Sequence, residues 1–337
     1  MHLQELNKDV RINFKIIKWI FIPFKLIINK ILKELNFFII WRSGKAIGDQ
    51  VLMTGFAKLI KSKFNSKIIV ITNYPNILDL SPWINYCISP KKIKFWDKLY
   101  YLLKLLEGKR IIEYNFPYRA FGYKSHLEAY SSGFYEILGN PPIWHAHVAD
   151  RFEISFFDNF RGGLQNSNND SRAKFLIDEI KKTNINCKIG IINPVGKGTY
   201  TKAKMYGFDN YQKIINSTFN KIKWIQVGIQ DDNTLQNISL DLKGNSLDFL
   251  VDIVSLSDLV LSDEGLLNHI AGSFPKVNSY VIFSEFSPEV YYSYANTITI
   301  GKPKDFHKTN YWSKESSKKN NKESPVKLAK IILDNEF

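Results

Sequence analysis

The sequence predicts an α/β chain built as two doubly wound parallel layers that face each other across a cleft. Three observations predict it. Short apolar, β-branched runs alternate with segments of helical periodicity along most of the chain. The alternation breaks in an Asn-, Ser- and Gly-rich stretch at 158–172 and then resumes, as at a linker. The length of 337 residues suits about two domains.

In the front half, strands are expected at 37–41, 67–72, 86–88 and 110–114, with helices at 51–64, 96–107 and 125–138. The strand–loop–helix–strand order at 37–72 is a βαβ unit, which requires parallel pairing. In the back half, strands are expected at 188–193, 223–227, 259–261 and 277–283. Helices are expected at 209–219, 247–255 and 265–273. The tract 313–322 is polar and Lys-rich, and a last helix is expected at 325–333. Ligands of such layers bind outside the carboxyl ends of the strands.

Residues 11–35 carry apolar positions at helical spacing, interrupted by Lys15, Lys18, Lys25, Lys30 and Lys33. No apolar run reaches the roughly 18 residues that a spanning helix needs, and Pro23 would kink or divide the helix. A basic amphipathic helix bearing Trp19, Phe21 and Phe24 suits a membrane interface; packing on the protein's own surface is the alternative. The segment has no small-residue cleavage pattern of a secretory signal.

Composition narrows the function classes. Hydrophobic residues at 45% and charged residues at 23% are globular values. The 46 Lys and Arg against 32 Asp and Glu leave a net charge of +14, which attracts nucleic acid, anionic lipid or phosphorylated small molecules. Cys87 and Cys187 form neither a metal spacing nor a disulfide framework, which fits a reducing cytoplasmic compartment. There is no His-Glu-x-x-His pattern, no Cys-His cluster, no Gly-x-Ser-x-Gly elbow and no RNP-type aromatic motif. Neither a metal, a cofactor nor a nucleic-acid partner is therefore expected.

Three loop constellations could carry chemistry. Ser43-Gly44-Lys45-Ala46-Ile47-Gly48-Asp49-Gln50 lies between a strand and a helix. It is not a P-loop, and Asp49 stands at the helix start either as a cap or as a cleft-facing carboxylate. Asn193-Pro194-Val195-Gly196-Lys197-Gly198-Thr199-Tyr200-Thr201-Lys202-Ala203-Lys204 is either a phosphate-binding loop or a solvated basic one. Ser262-Asp263-Glu264-Gly265-Leu266-Leu267-Asn268-His269 leads from a strand end into a helix whose amides could meet a diphosphate. His269 there is either a ligand contact or a satisfied half-buried histidine.

In this order, over about 37–300, the three segments resemble glycosyltransferase family 9, the ADP-heptose:lipopolysaccharide heptosyltransferases. The run from Ile39 through Gly48-Asp49 to Thr54 is similar to the family's opening strand and its Gly-Asp-x-x-x-x-Thr loop. Lys204-Met205-Tyr206 resembles its Lys-x-Trp, and Leu242-Lys243-Gly244-Asn245-Ser246-Leu247 resembles its Leu-x-Gly-x-Thr-Ser-Leu. Asp263 to Ala271 resembles Asp-Ser-Gly-x-x-His-x-Ala. Counted from His269 without a gap, the acidic position falls on Glu264 and the Gly position on Leu266; one inserted residue brings Asp263 and Gly265 into register instead. Phe283 to Pro288 resembles Phe-Gly-x-Thr-x-Pro, with Ser284 in place of Gly.

The resemblance implies a GT-B fold, two Rossmann-like domains and an N-terminal amphipathic helix (1–35). Residues 36–165 would form the acceptor domain, 166–185 a linker region, 186–312 the nucleotide-sugar donor domain, and 313–337 a polar loop and helix. It implies an inverting, metal-independent transfer with Asp49 as general base. Lys204, Lys202, Gly196, Thr199, Asp263, Glu264, Gly265, Leu266 and His269 would bind the donor. Gly48, Arg119, Lys124 and His126 would meet a lipopolysaccharide, lipooligosaccharide or other surface-glycan acceptor. The expected setting is the cytoplasmic face of the inner membrane. A nucleotide-sugar epimerase of the same shape and a non-catalytic basic lipid- or nucleic-acid-binding protein are the competing readings.

Overall fold

The computed structural model describes residues 22–41, 47–92, 99, 102–103, 106, 110–113, 162–167, 171–194, 205–283, 294–300 and 323–337. Two parallel sheets dominate it. The front sheet has four strands in the order β3-β2-β1-β4: β1 (Phe37–Trp41), β2 (Lys67–Ile71), β3 (Tyr86–Ile88) and β4 (Ile111–Glu113). Every pairing in it is parallel. Helix α1 (Ile22–Glu34) precedes β1, α2 (Ile47–Phe64) crosses from β1 to β2, and the single turn α3 (Pro75–Leu78) follows β2. Residues 99, 102, 103 and 106 of the expected 96–107 helix are helical, while the expected 125–138 helix lies outside the described residues.

The back sheet has six strands in the order β10-β9-β8-β5-β6-β7, again all parallel. Its strands are β5 (Lys188–Asn193), β6 (Ile222–Gln226), β7 (Leu240–Asp241), β8 (Leu259–Asp263), β9 (Asn278–Ile282) and β10 (Thr297–Ile300). The helices are α4 (Ser171–Thr183), α5 (Phe208–Thr218), α6 (Leu247–Leu256), α7 (Leu266–Ala271) and α8 (Pro325–Glu336). Strand β5 reads KIGIIN with its four middle residues buried, the continuous run expected of a parallel strand covered on both faces. Helix α5 buries Tyr211, Ile214, Ile215 and Thr218, one stripe at i, i+3, i+4 and i+7, and packs against α8.

Both sheets reverse strand order beside their first strand. In the front sheet the reversal lies between β1 and β4, in the back sheet between β5 and β8. Such switch points open a crevice at the strand carboxyl ends. The chain leaves β1 for the first turn of α2, which carries Gly48 and Asp49; it leaves β5 at Asn193 toward the 195–204 segment, and β8 at Asp263 toward the 264–265 turn. All three constellations thus emerge at switch points.

One hydrophobic cluster runs through both layers. It joins Phe38, Ile40, Leu52 and Phe56 of the front half to Ile189, Ile191, Phe249, Leu267 and Ile270 of the back half, with Leu164 among them. A second cluster lies on the far side of the back sheet, around Trp224, Tyr280, Ile214 and Ile332. The cysteines are unpaired and only partly exposed. Burial, reinforced by the charge of Asp79, pushes the Cys87 thiol up, which keeps it protonated and unreactive.

Two differences from the sequence reading have local causes. Helix α4 occupies most of the stretch expected as a linker, with Ala173 and Ile177 buried and α6 as its neighbour. Residues 162–164, within the stretch read as linker-like, are buried, and the chain from 162 to 167 runs as a strap between the two layers. In α1 the face with Ile28 and Leu32 packs on Trp41, Ile71, Leu103, Leu106 and Ile111. Asn29 Nδ2 donates to Leu106 O at 3.2 Å, and Asn29 Oδ1 accepts from Arg110 N at 2.8 Å. Phe24, Ile27, Ile31 and Leu35 stay exposed. Among the described residues no helix is long and apolar enough to cross a membrane.

The indole Nε1 of fully buried Trp224 donates to Thr218 Oγ1 at 2.8 Å. Thr218→Val keeps the shape and strands that donor, at a cost of about 1–3 kcal/mol. The expected outcome is a lower denaturant midpoint with an unchanged slope; an unaltered midpoint refutes the account.

Candidate functional site

The front and back layers meet where the first turn of α2 touches the turn into α7. A methyl group added at Gly48 would lie 2.9 Å from His269 Cδ2 and 3.4 Å from the Leu266 amide nitrogen. Only a residue without a side chain permits this approach. Asp49 is the next residue of α2, so its backbone stands beside the 264–269 turn; its side chain lies outside the described residues. In α7, Leu267, Asn268, His269, Ile270 and Ala271 are all buried.

His269 is held from both ring nitrogens. Its Nε2 lies 3.6 Å from Glu264 Oε1, with both side chains nearly inaccessible. Its Nδ1 lies 2.9 Å from Tyr294 Oη. Which ring nitrogen carries the proton sets the direction of the bond at Nδ1. The Tyr294 ring meets the imidazole edge-on, with centroids 5.9 Å apart. Tyr294 escaped the sequence reading because it stands 25 residues from its partner and carries no local motif.

Beneath α7 lies a buried polar framework. Asn268 Oδ1 accepts from Ser279 Oγ at 3.0 Å and from Thr297 Oγ1 at 3.3 Å. Asn296 Nδ2 donates to the carbonyls of Ala271, Phe274 and Val277 at 2.9, 3.2 and 2.6 Å. The first of these carbonyls is the last of the helix, and the other two belong to the turn that leads to β9. The bonds fix the helix's position on β9 and β10, and with it the direction in which its first turn points. At that turn, Gly265 is the cap residue without a side-chain cap bond. Among the described residues, a methyl group there would meet nothing within 4 Å.

Asp263 and Glu264 have different partners. Glu264 turns to His269. Asp263 Oδ1 accepts from Tyr206 N at 3.1 Å and from Tyr211 Oη at 2.9 Å. Tyr206 Oη in turn donates to Glu323 O. Burial first, then neighbouring carboxylate charge, pushes both phenols up, so both remain protonated donors. Asp263 therefore anchors the chain at the exit of the basic loop. The entrance is fixed to the same strand, since Asn193 pairs in register with Ser262. Gly196, Thr199, Lys202 and Lys204 lie in that loop, outside the described residues, but both of its ends are held at the carboxyl end of β8. Arg119, Lys124 and His126 also lie outside the described residues. The strand that precedes them, β4, is the neighbour of β1, with Glu113 opposite Trp41. Among the described residues no three His, Cys, Asp or Glu side chains are grouped to hold a metal.

No protein-family model and no curated protein matches the sequence. Solved structures do match the fold. A glycosyl transferase family 9 protein from Veillonella parvula aligns over 90% of this chain and 99% of its own, at 12% identity and a TM-score of 0.58. The Escherichia coli ADP-heptose lipopolysaccharide heptosyltransferase II aligns over 89% of this chain and 100% of its own, at 11% identity and a TM-score of 0.57. The E. coli heptosyltransferase WaaC, solved with ADP, aligns over 88% of this chain and 99% of its own, at 10% identity and a TM-score of 0.55. The two parallel α/β layers, with their switch points facing one another, are the GT-B fold of these glycosyltransferases.

Proposed function

We propose that the protein is an inverting, metal-independent glycosyltransferase. It moves a sugar from a nucleotide-diphosphate donor, heptose from ADP-heptose being the preferred case, to a lipopolysaccharide-type or other surface-glycan acceptor. The observation that carries the reading is the contact of Gly48 with Leu266 and His269. It brings the residue next to Asp49 against a turn bordered by the tethered basic loop. A carboxylate and an anion cradle on opposite sides of one crevice are what sugar transfer from a diphosphate needs.

In this mechanism Asp49 takes the proton of an acceptor hydroxyl as its oxygen attacks the anomeric carbon. The bond from that carbon to the diphosphate oxygen breaks on the opposite face, which inverts the centre. Lys202 and Lys204, with Gly196 and Thr199 of the same loop, neutralise the departing diphosphate. Glu264 and Tyr294 hold His269 rigid at the crevice wall. Closure of the layers keeps water from the donor. Arg119, Lys124 and His126 would receive a phosphorylated acceptor, in keeping with the net charge of +14.

The experiment is incubation of the purified protein with ADP-, GDP- and UDP-sugars, with and without a lipopolysaccharide acceptor, read by mass spectrometry. Transfer to the acceptor is expected; epimerised donor without transfer would overturn the proposal. Asp49→Asn should lower turnover by about 10²–10⁴-fold while the donor still raises the melting temperature. Turnover near the wild-type rate removes Asp49 from the role of base. Tyr211→Phe deletes one of the two bonds that hold Asp263 in place and so loosens the carboxylate to which Tyr206 N, at the exit of the basic loop, is bonded. It should weaken donor binding several-fold in calorimetry and cost about 1 kcal/mol of stability; an unchanged Kd would separate the tether from donor binding.

Helix α1 supports work at the cytoplasmic surface of the inner membrane. It is anchored by Ile28, Asn29 and Leu32, and its other apolar face, Phe24, Ile27, Ile31 and Leu35, is exposed beside Lys25, Lys30 and Lys33. An apolar stripe flanked by cations fits an anionic bilayer. Ile27→Glu with Ile31→Glu should abolish co-flotation with phosphatidylglycerol vesicles and leave the melting temperature in place. Flotation equal to wild type would remove α1 from the membrane contact.

A further inference from the structure

The strap at 162–167 is hydrogen-bonded alternately to the two layers. Gly162 N donates to Gly272 O at 2.9 Å and Leu164 N to Ser273 Oγ at 3.1 Å, both just beyond α7. Gly163 N donates to Thr54 Oγ1 at 3.1 Å and Gln165 N to Leu80 O at 2.9 Å, both in the front layer. Ser167 then returns to the back layer, its N and Oγ each 2.6 Å from the Asp252 carboxylate. Successive amides of an extended chain point to opposite sides, so one segment bonds both walls of the seam. The fit is close: a methyl group at Gly162 would lie 2.3 Å from Ser273 Oγ, and one at Gly163 would lie 2.2 Å from Thr54 O.

Thr54 is the last residue of the Gly-Asp-x-x-x-x-Thr segment, and the proposed chemistry gives it no part. It is fully buried, and its hydroxyl donates to Val51 O at 2.7 Å, which aims its lone pairs at the strap. Five residues after Asp49 on the same helix, it sits about 140° around the axis. The two positions therefore lie on different faces of α2. In the same way, Gly272 and Ser273 lie at the opposite end of α7 from the 264–265 turn.

We propose that Thr54 and Ser273 are positioning residues: through the strap they clamp α2 to the tail of α7, and the clamp sets the gap between the Asp49 turn and the 264–269 turn. The proposal rests on the transferase reading for its catalytic consequence, but the clamp itself is measurable without turnover. Small misplacement of reacting groups is costly, with about 1 Å able to lose 10²-fold in rate.

The test compares Thr54→Val, Thr54→Ser and Ser273→Ala in the full chain. Amide hydrogen exchange is followed in peptides covering 48–54, 162–167 and 264–272. Exchange should rise in all three peptides for Thr54→Val and for Ser273→Ala, and return to wild type in Thr54→Ser. With an active donor and acceptor, kcat should fall about tenfold or more in Thr54→Val while the KM for donor stays within about twofold. Faster exchange confined to 162–167, or released exchange with wild-type kcat, would overturn the clamp. Ser273→Ala loosens the strap from the other wall and keeps the test decisive if Thr54→Val does not fold. If the wild-type protein transfers no sugar, the transferase reading falls while the exchange data still decide the clamp.

Discussion

The packing of α2 against α7 is the contact on which the rest of the structure depends. It is apolar along most of its length, with Leu52 and Phe56 in the same cluster as Leu267 and Ile270. Apolar burial has no direction of its own, so it brings the layers together without fixing their register. Direction comes from the close steric approach at Gly48 and from polar groups around the seam: the strap amides, and the framework of Asn268 and Asn296 beneath α7. Each of those polar groups would be expensive to leave unpaired in a buried setting. The apolar surface supplies the attraction and the hydrogen bonds supply the alignment.

This division explains why so much of the fold was legible in the sequence. Strand β5 reads as one β-branched run, and α5 as a stripe of four buried positions, because local pattern and burial coincide there. The loop-to-helix segments at 43–50 and 262–269 stood out because strand, glycine and acid succeed one another at a sheet edge. Helix α4 was hidden by composition: the Asn, Ser and Gly before it read as linker, although Ala173, Leu176, Ile177 and Ile180 already form a helical stripe. Strand β10, four residues of alternating Thr and Ile, is too short for periodicity to speak.

The site divides along the same line. Which loops bear acid, base and glycine was readable, since those residues lie close together in the chain. Their partners were not. Tyr294 for His269, Tyr211 for Asp263, and Thr54 for Gly163 are each separated by more than twenty residues. Side chains of this kind look alike in a sequence whether they bond a neighbour or face water. Asp263 and Glu264 are adjacent acids of nearly equal chemistry, and the tyrosines on one and the histidine beside the other give them separate duties.

Those duties follow from where the two acids stand on the strand. Asp263 ends β8, and Glu264 is the residue after it. Successive residues of an extended strand send their side chains to opposite sides, so neighbouring acids can serve different layers of packing. Asp263 accepts from Tyr206 N and from Tyr211 Oη, which ties the end of β8 to α5 and to the chain that enters it. Glu264 stands 3.6 Å from His269 Nε2 and so faces α7. One strand end thereby joins the helix behind the back sheet to the short helix at the seam, and a shift of either is passed to the turn between them.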